Sequence, residues 1–392
     1  MSTYRKSGFK KDGNTILQEV ASKSQLKEGK DAVRGVLREI YRFGTIGTKS
    51  LARKLFLPIP TVAAIRKELE KIGFIERLKK GAILTELGVD FVNLELQINY
   101  FQNLLCKECN GTTIELPDDA DSIIPKLRDF TDLRPTPQTE IDQAFGKPIT
   151  ALCRALLMLQ NDDLEGREVL LLGDDDFTSL AIALLGTLTK ITVIDIDKRL
   201  LDVISQIAKE NNFDIVCIHA DLRKPISNKL VGKFDTVLTD PPYTISGLKL
   251  FLSRCLQALK PELGRKVYLA YAHRAPNDLL DVQKVIQEHG LVIQQMLPGF
   301  NLYEGAEMHG NTTFIAKLLT TDLSKAQIID EFYEKIYTGE FSPTLRIYKC
   351  SKNHEIQIGK NEKIKTIEEL KEMGCPVCGS KDKFLRIKRE KI

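Results

Sequence analysis

Residues 173–179 read Gly-Asp-Asp-Asp-Phe-Thr-Ser and follow the apolar run Val169-Leu170-Leu171-Leu172. A buried strand entering a turn and then a helix is where α/β folds bind nucleotide cofactors. Such a turn is usually rich in glycine, so that backbone N–H groups approach an anion. Here Asp174, Asp175 and Asp176 occupy it. Three carboxylates repel a phosphate or the carboxylate of an amino-acid cofactor and attract an amine. The expected substrate is a cation.

Further acids recur at the ends of the following strand-like runs. Asp195 closes Ile191-Thr-Val-Ile and lies 22 residues after Gly173, near the position where a Rossmann-type acid holds ribose hydroxyls. Asp197 is close by. Asp221-Leu222 follows the third run and suits an adenine edge, since a carboxylate accepts from an exocyclic amine. Asp240-Pro241-Pro242-Tyr243 follows the fourth. Two prolines fix the backbone, so that Asp240 and a carbonyl can face a reacting amine, and Tyr243 can stack on a cation. Each acid alone reads equally well as a helix cap. Together, in order and at one end of a sheet, they form an adenosine-and-amine site. The candidate catalytic groups are Asp174, Asp175, Asp176, Asp240 and Tyr243. The candidate nucleoside-binding residues are Gly173, Asp195, Asp197, Asp221, Leu222 and Pro241.

Asp-Pro-Pro-Tyr resembles the motif of S-adenosylmethionine-dependent amino methyltransferases. Those enzymes hold the donor's amino-acid end with a glycine-rich first turn, whereas this chain presents carboxylates. Decarboxylated S-adenosylmethionine, whose propylamine arm ends in an ammonium, fits that departure. The acidic turn, Arg134-Pro-x-Pro with Asp142-Gln143, Cys106-x-x-Cys109, Asp221-Leu-Arg-Lys-Pro225 and Asp-Pro-Pro together resemble the N4-bis(aminopropyl)spermidine synthases, the branched-chain polyamine synthase family. The likeness covers roughly residues 30–320. It implies aminopropyl transfer from decarboxylated S-adenosylmethionine to spermidine, release of 5′-methylthioadenosine, and no redox cofactor. It implies amine binding by Asp174–Asp176 with Asp175 as proton acceptor, ribose at Asp195, adenine at Asp221, and the reacting amine at Asp240. Phe300-Asn301-x-Tyr303 would add further wall. Family members carry Glu after Asp-Pro-Pro, so Tyr243 is a departure that lowers local negative charge and bears on which amine is accepted.

Eight cysteines in a chain without a secretory pattern argue for metal or buried thiols. Cys350-x3-His354 and Cys375-Pro-Val-Cys378-Gly379 supply three thiolates and an imidazole, the ligand set of a structural zinc knuckle. Cys106 and Cys109 are half a site. They could pair across a homodimer, join the tail site, or stay as thiols. Cys153, Cys217 and Cys255 sit in apolar patterns and read as core.

These groups need positioning elements. Alternating strands and helices from about residue 151 to 340 predict a Rossmann-like doubly wound parallel sheet. Upstream, residues 31–95 read as three short helices plus a hairpin, a winged helix-turn-helix. Arg66, Lys67 and Lys71 on its third helix, with Lys79 and Lys80 at the wing tip, could contact phosphates; winged helices equally serve protein contacts. Residues 1–30 read as a loosely held polar arm, 96–150 as a connector, and 341–392 as a zinc-ribbon-like tail.

The net charge of +4 conceals an acidic centre between basic ends. Residues 1–90 hold 19 Lys and Arg against 10 Asp and Glu, and residues 341–392 hold 13 against 7. Basic ends suit a polyanion and an acidic centre suits a cation. No apolar run reaches membrane-spanning length, and the first residues are polar rather than signal-like, so the chain reads as cytoplasmic. Two other functions remain open on sequence: a nucleic-acid amino methyltransferase, favoured by Tyr243, the winged helix and the tail, and a transcription factor with a degenerate enzyme domain.

Overall fold

The computed structural model describes residues 9, 11–106, 108, 113–304, 311–341, 344–359, 362–365 and 367–391. Helix α1 (Gly13–Lys23) begins at Asp12, whose side chain accepts from the Thr15 amide. Leu17, Val20 and Ala21 share one face of α1 and are buried. This corrects the loosely held arm expected for residues 1–30. Residues 13–23 are a helix of the first core, because three apolar residues at helical spacing outweigh the surrounding lysines.

Helices α2 (Lys30–Phe43), α3 (Thr48–Leu55) and α4 (Ile59–Lys71), the wing β1 (Ile75–Leu78) and β2 (Gly81–Leu84), and α5 (Glu86–Leu94) complete the winged helix. A bridge from Ile46 to Ala82 ties the α2–α3 turn to the wing. Arg66 departs from the expected phosphate contact: it is buried, donates to the Thr48 hydroxyl and lies 3.9 Å from Glu70. Lys67, Lys71, Lys79 and Lys80 are exposed.

Helix α2 docks this module onto the next. Arg34 donates to Asp162 at 3.0 Å and to the Glu165 carbonyl at 2.6 Å. Arg38 donates to the Leu159 carbonyl at 2.7 Å. Asp31 receives Arg167, Arg265 and Lys266. Their attraction outweighs burial and holds the Asp31 carboxyl well below the ordinary range.

Helix α6 (Ala120–Thr131) and helix α7 (Pro148–Gln160) lead into a seven-stranded sheet. Its members are β3 (Glu168–Leu172), β4 (Lys190–Asp195), β5 (Ile215–His219), β6 (Thr236–Thr239), β7 (Lys266–Ala272), β8 (Leu291–Leu302) and β9 (Thr312–Thr320). The order is β5-β4-β3-β6-β7-β9-β8. The first five are parallel, and β9 runs antiparallel to both β7 and β8. The sheet is therefore mixed: the nine residues between β8 and β9 are too few for the crossover that a parallel pair needs, so that pair must be antiparallel. Helices α8 (Thr178–Leu184), α9 (Lys198–Asn211), α10 (Ile245–Ala258) and α11 (Pro276–Glu288) cover the faces, over two apolar cores. Cys255 is wholly buried, and Cys153 and Cys217 are half-buried.

A short helix α12 (Thr338–Phe341) precedes the tail. There β10 (Thr344–Lys349) pairs antiparallel with β11 (Glu355–Ile358) and β12 (Leu385–Lys391), beside α13 (Ile367–Met373). No helix among the described residues is long and apolar enough to cross a membrane.

Candidate active site

Strand register brings the acids together. Leu172 of β3 pairs with Ile194 of β4 and with Thr239 of β6. The next residues, Gly173, Asp195 and Asp240, therefore emerge side by side at the carboxyl edge. Asp195 in turn pairs with His219 of β5, two residues before Asp221. Strand order reverses at β3, with β4 and β5 on one side and β6 and β7 on the other. The crevice outside that reversal is where open α/β sheets bind ligands.

The acidic turn is built on two left-handed residues. Gly173 has φ of 80° and Phe177 has φ of 59°. Glycine bears such a φ without strain; Phe177 is held there by complete burial. The three carboxylates then diverge. Asp174 turns inward and accepts from the Thr178 amide at 2.7 Å and the Ser179 amide at 3.1 Å, capping α8. Burial pushes its carboxyl up to about 8. Asp176 accepts from the Gly146 amide and from Arg154 at 2.6 Å. Asp175 points to neither, and among the described residues no hydrogen bond reaches its carboxylate. Burial, then repulsion from Asp176, Asp240 and Asp195, holds it well above the ordinary range, with Arg154 opposing.

Arg154 joins this turn to the Asp-Pro-Pro-Tyr segment. It is 1% exposed and spends its donors on four groups. These are the Asn301 amide oxygen at 2.8 Å, Asp176 at 2.6 Å, Asp240 at 2.9 Å and the Tyr303 hydroxyl at 2.8 Å. Asp240 also accepts from the Tyr243 hydroxyl at 3.0 Å and from Tyr303. Burial raises the Asp240 carboxyl, while Arg154 works against that shift. The Tyr243 ring meets Tyr271 edge-on at 5.2 Å. Asn301 and Tyr303, read from sequence as wall, are Arg154 partners. Arg154 itself went unread. Its signal is a lone arginine inside the apolar helix Ala-Leu-Cys-Arg-Ala-Leu-Leu-Met-Leu, where a buried charge demands partners.

The acids expected to hold the nucleoside are differently committed. Asp195 accepts the Asp197 amide at 2.7 Å and the Asp174 amide at 3.1 Å, one per oxygen, and burial raises its carboxyl. Asp197 caps α9 and is held by Arg199 at 2.7 Å and Gln143 at 3.3 Å. Asp221 is clasped by Arg223 at 2.7 Å, which lowers its carboxyl against the opposing effect of burial. Leu222 packs its side chain into the core, and its carbonyl accepts from Arg254 at 2.8 Å. Pro241 is buried beside Asp240. Arg254 also donates to the carbonyls of Ile328, Ile329 and Asp330. That ties the Asp221 loop to the segment running back toward α12.

In the tail, Cys350, His354, Cys375 and Cys378 place one ligand atom each within 4.8 Å of one another. The Cys350 and Cys378 sulfurs are 3.9 Å apart, and the Cys350 sulfur lies 3.6 Å from His354 Nδ1. A tetrahedral zinc with thiolates at about 2.3 Å needs edges of about 3.8 Å, so the donor set and its spacing fit. Cys106 is not in this cluster; its amide pairs with the Thr113 carbonyl. Cys109 lies outside the described residues.

The family model for the branched-chain polyamine synthase A C-terminal domain matches residues 122–372, and the MarR family model matches residues 35–81. An uncharacterized protein of Methanocaldococcus jannaschii is 44% identical over 378 residues, 96% of this chain and 94% of its own. The N(4)-bis(aminopropyl)spermidine synthase of the same organism is 33% identical over 295 residues, 74% of this chain and 82% of its own. The Thermus thermophilus branched-chain polyamine synthase, solved in complex with N4-aminopropylspermidine and 5′-methylthioadenosine, aligns with a TM-score of 0.52. It is 25% identical and covers 84% of this chain and 97% of that one. Helix order, the acidic turn and these matches lead to one conclusion: the chain belongs to the branched-chain polyamine synthase family.

Proposed function

We propose that this protein is a cytoplasmic aminopropyltransferase. It moves the aminopropyl group of decarboxylated S-adenosylmethionine onto the secondary amine of spermidine or a related polyamine, giving a branched polyamine and 5′-methylthioadenosine. The observation that carries this reading is Asp175. Its carboxylate is unbonded among the described residues and lies among Asp176, Asp195 and Asp240, where a methyltransferase would hold its donor's carboxylate.

In the reaction, the nitrogen lone pair of the uncharged acceptor amine forms a bond to the donor methylene beside sulfur. The C–S bond breaks, and its electron pair neutralises the sulfonium as a thioether. The N–H proton passes to Asp175, whose raised proton affinity suits an amine partner. Asp195 receives ribose hydroxyls on its remaining lone pairs. Asp221 and Leu222 flank the base, and Pro241 forms its edge. Asp240 and Tyr243 line the acceptor side. Asp174 and Asp176 hold the turn in place, and Asp175 faces the cationic arms. Structural zinc on Cys350, His354, Cys375 and Cys378 would order the tail and has no part in the transfer.

Incubation with decarboxylated S-adenosylmethionine and spermidine tests the proposal. Methylthioadenosine and a branched tetra- or penta-amine are expected. Turnover only with S-adenosylmethionine and a nucleic acid would replace it with the methyltransferase reading.

A further inference from the structure

We infer that Arg154 is a positioning residue that sets the charge of the reaction centre: it neutralises Asp176 and Asp240 and leaves Asp175 as the single carboxylate able to take the proton. This deepens the aminopropyl-transfer reading and rests on it for its kinetic test.

The geometry admits little else for this side chain. Arg154 is almost wholly buried, and its partners come from three separate segments. Asp176 belongs to the acidic turn, Asp240 to the loop after β6, and Asn301 and Tyr303 to the end of β8 and just beyond. Asn301 is itself fixed, donating to the Thr313 hydroxyl at 2.9 Å and the Phe314 carbonyl at 3.1 Å. A planar guanidinium can meet four acceptors in a fixed fork, and an ammonium cannot. Arg154 makes no bond to Asp175, so one carboxylate of three is left free of the clamp.

The groups facing Asp175 come from every element around it. They are Asp176 on its own turn, Asp195 at the end of β4, Asp240 after β6 and Arg154 on α7. Arg134 of the connector donates to the Asp175 carbonyl at 3.4 Å. Three of these are carboxyls; Arg154 opposes them at Asp175, and the Arg134 guanidinium adds attraction to both Asp176 and Asp175 without bonding either carboxylate. Removing Arg154 leaves Asp176 and Asp240 unneutralised beside Asp175. Asp175 then binds its proton more tightly and is a poorer acceptor at neutral pH.

The test compares wild type, Arg154→Lys and Arg154→Met by the pH dependence of kcat with one polyamine, so that substrate titration is common to all. The rising limb should move at least one pH unit to the alkaline side in Arg154→Met. Arg154→Lys should bring it partly back. The double variant Arg154→Met with Asp240→Asn should return the limb toward wild type, since one unneutralised charge is gone. Infrared titration of the Asp175 carboxyl, identified by difference against Asp175→Asn, gives the same midpoint without substrate. It decides the matter if no methylthioadenosine is formed or if the Met variant folds poorly, in which case the Lys variant is titrated. Rate loss with the limb and the infrared midpoint unmoved would show a purely structural role and overturn the inference.

Discussion

Arg154, the one charged residue of α7, donates to Asp176 of the acidic turn at 2.6 Å. One of three consecutive carboxylates is thereby paired before any ligand arrives. Asp174 is spent on capping α8, so Asp175 alone faces the crevice without a described hydrogen bond. An apparently redundant acidic triplet is three separate devices.

Replacing Asp175 with Asn should therefore cost catalysis and spare the fold. Loss of a positioned proton acceptor lowers rates by about 10²–10⁴-fold. Single-turnover methylthioadenosine release should fall by that order while nucleoside binding, followed by calorimetry with methylthioadenosine, is retained. A fall below tenfold would remove Asp175 from that role.

Asp174 makes a stability claim. Its folded carboxyl is pushed up to about 8 by burial, against about 4 for a free Asp. A group with a raised folded value keeps its proton in the fold, so its contribution to stability declines as pH rises from about 4 through about 8. The amide oxygen in Asp174→Asn can still cap α8 and carries no charge. The melting temperature of the variant relative to wild type should grow more favourable between pH 5 and pH 8, at roughly 2–4 °C per kcal/mol for a domain of this size. A difference independent of pH would contradict it.

The docking of the winged helix makes another. Asp31 is depressed by Arg167, Lys266 and Arg265 against burial, so its stabilisation is present above the ordinary carboxylate range and is lost as pH falls through its folded value. Asp31→Ala removes the carboxylate that Arg167, Arg265 and Lys266 share; Arg265 keeps Asp235 at 2.6 Å and Lys266 keeps Asp163 at 3.5 Å, so the loss should fall at or below the lower end of the about 3–5 kcal/mol that breaking a buried pair costs. Chemical denaturation at neutral pH should show that loss, and the gap to wild type should close in acid. A loss below 1 kcal/mol would mean the modules are held elsewhere.

The tail should depend on metal. Native mass spectrometry should find one zinc per chain. Cys375→Ser should lose it, with protease cleavage appearing within residues 344–391 and the sheet domain intact. Unchanged zinc content would reject the four-ligand site.

Much of this was legible in the sequence, for identifiable reasons. Buried parallel strands announce themselves as apolar runs, and an acid directly after each run must emerge at the carboxyl edge whatever the details of packing. That is why Asp195, Asp221 and Asp240 could be placed together. What the sequence hid was commitment: a one-dimensional pattern does not say that Asp197 is held by Arg199 and Gln143, Asp221 by Arg223, or Asp174 by α8. Arg154 was hidden because its partners lie 22 to 149 residues away in the chain. Helix α1 was hidden because its apolar face is only three residues wide amid lysines.

The acidic turn, through Asp175, selects a donor that lacks a carboxylate of its own. Two like charges about 4 Å apart cost about 1 kcal/mol in water and about 4 kcal/mol near a protein surface; at a site screened from water the cost exceeds the about 1.4 kcal/mol that makes a tenfold difference. The direct measurement is calorimetric titration of the protein with decarboxylated S-adenosylmethionine and with S-adenosylmethionine under identical conditions. The decarboxylated donor should bind at least tenfold tighter, with the gap narrowing in Asp175→Asn. Equal affinities, or tighter binding of S-adenosylmethionine, would contradict it.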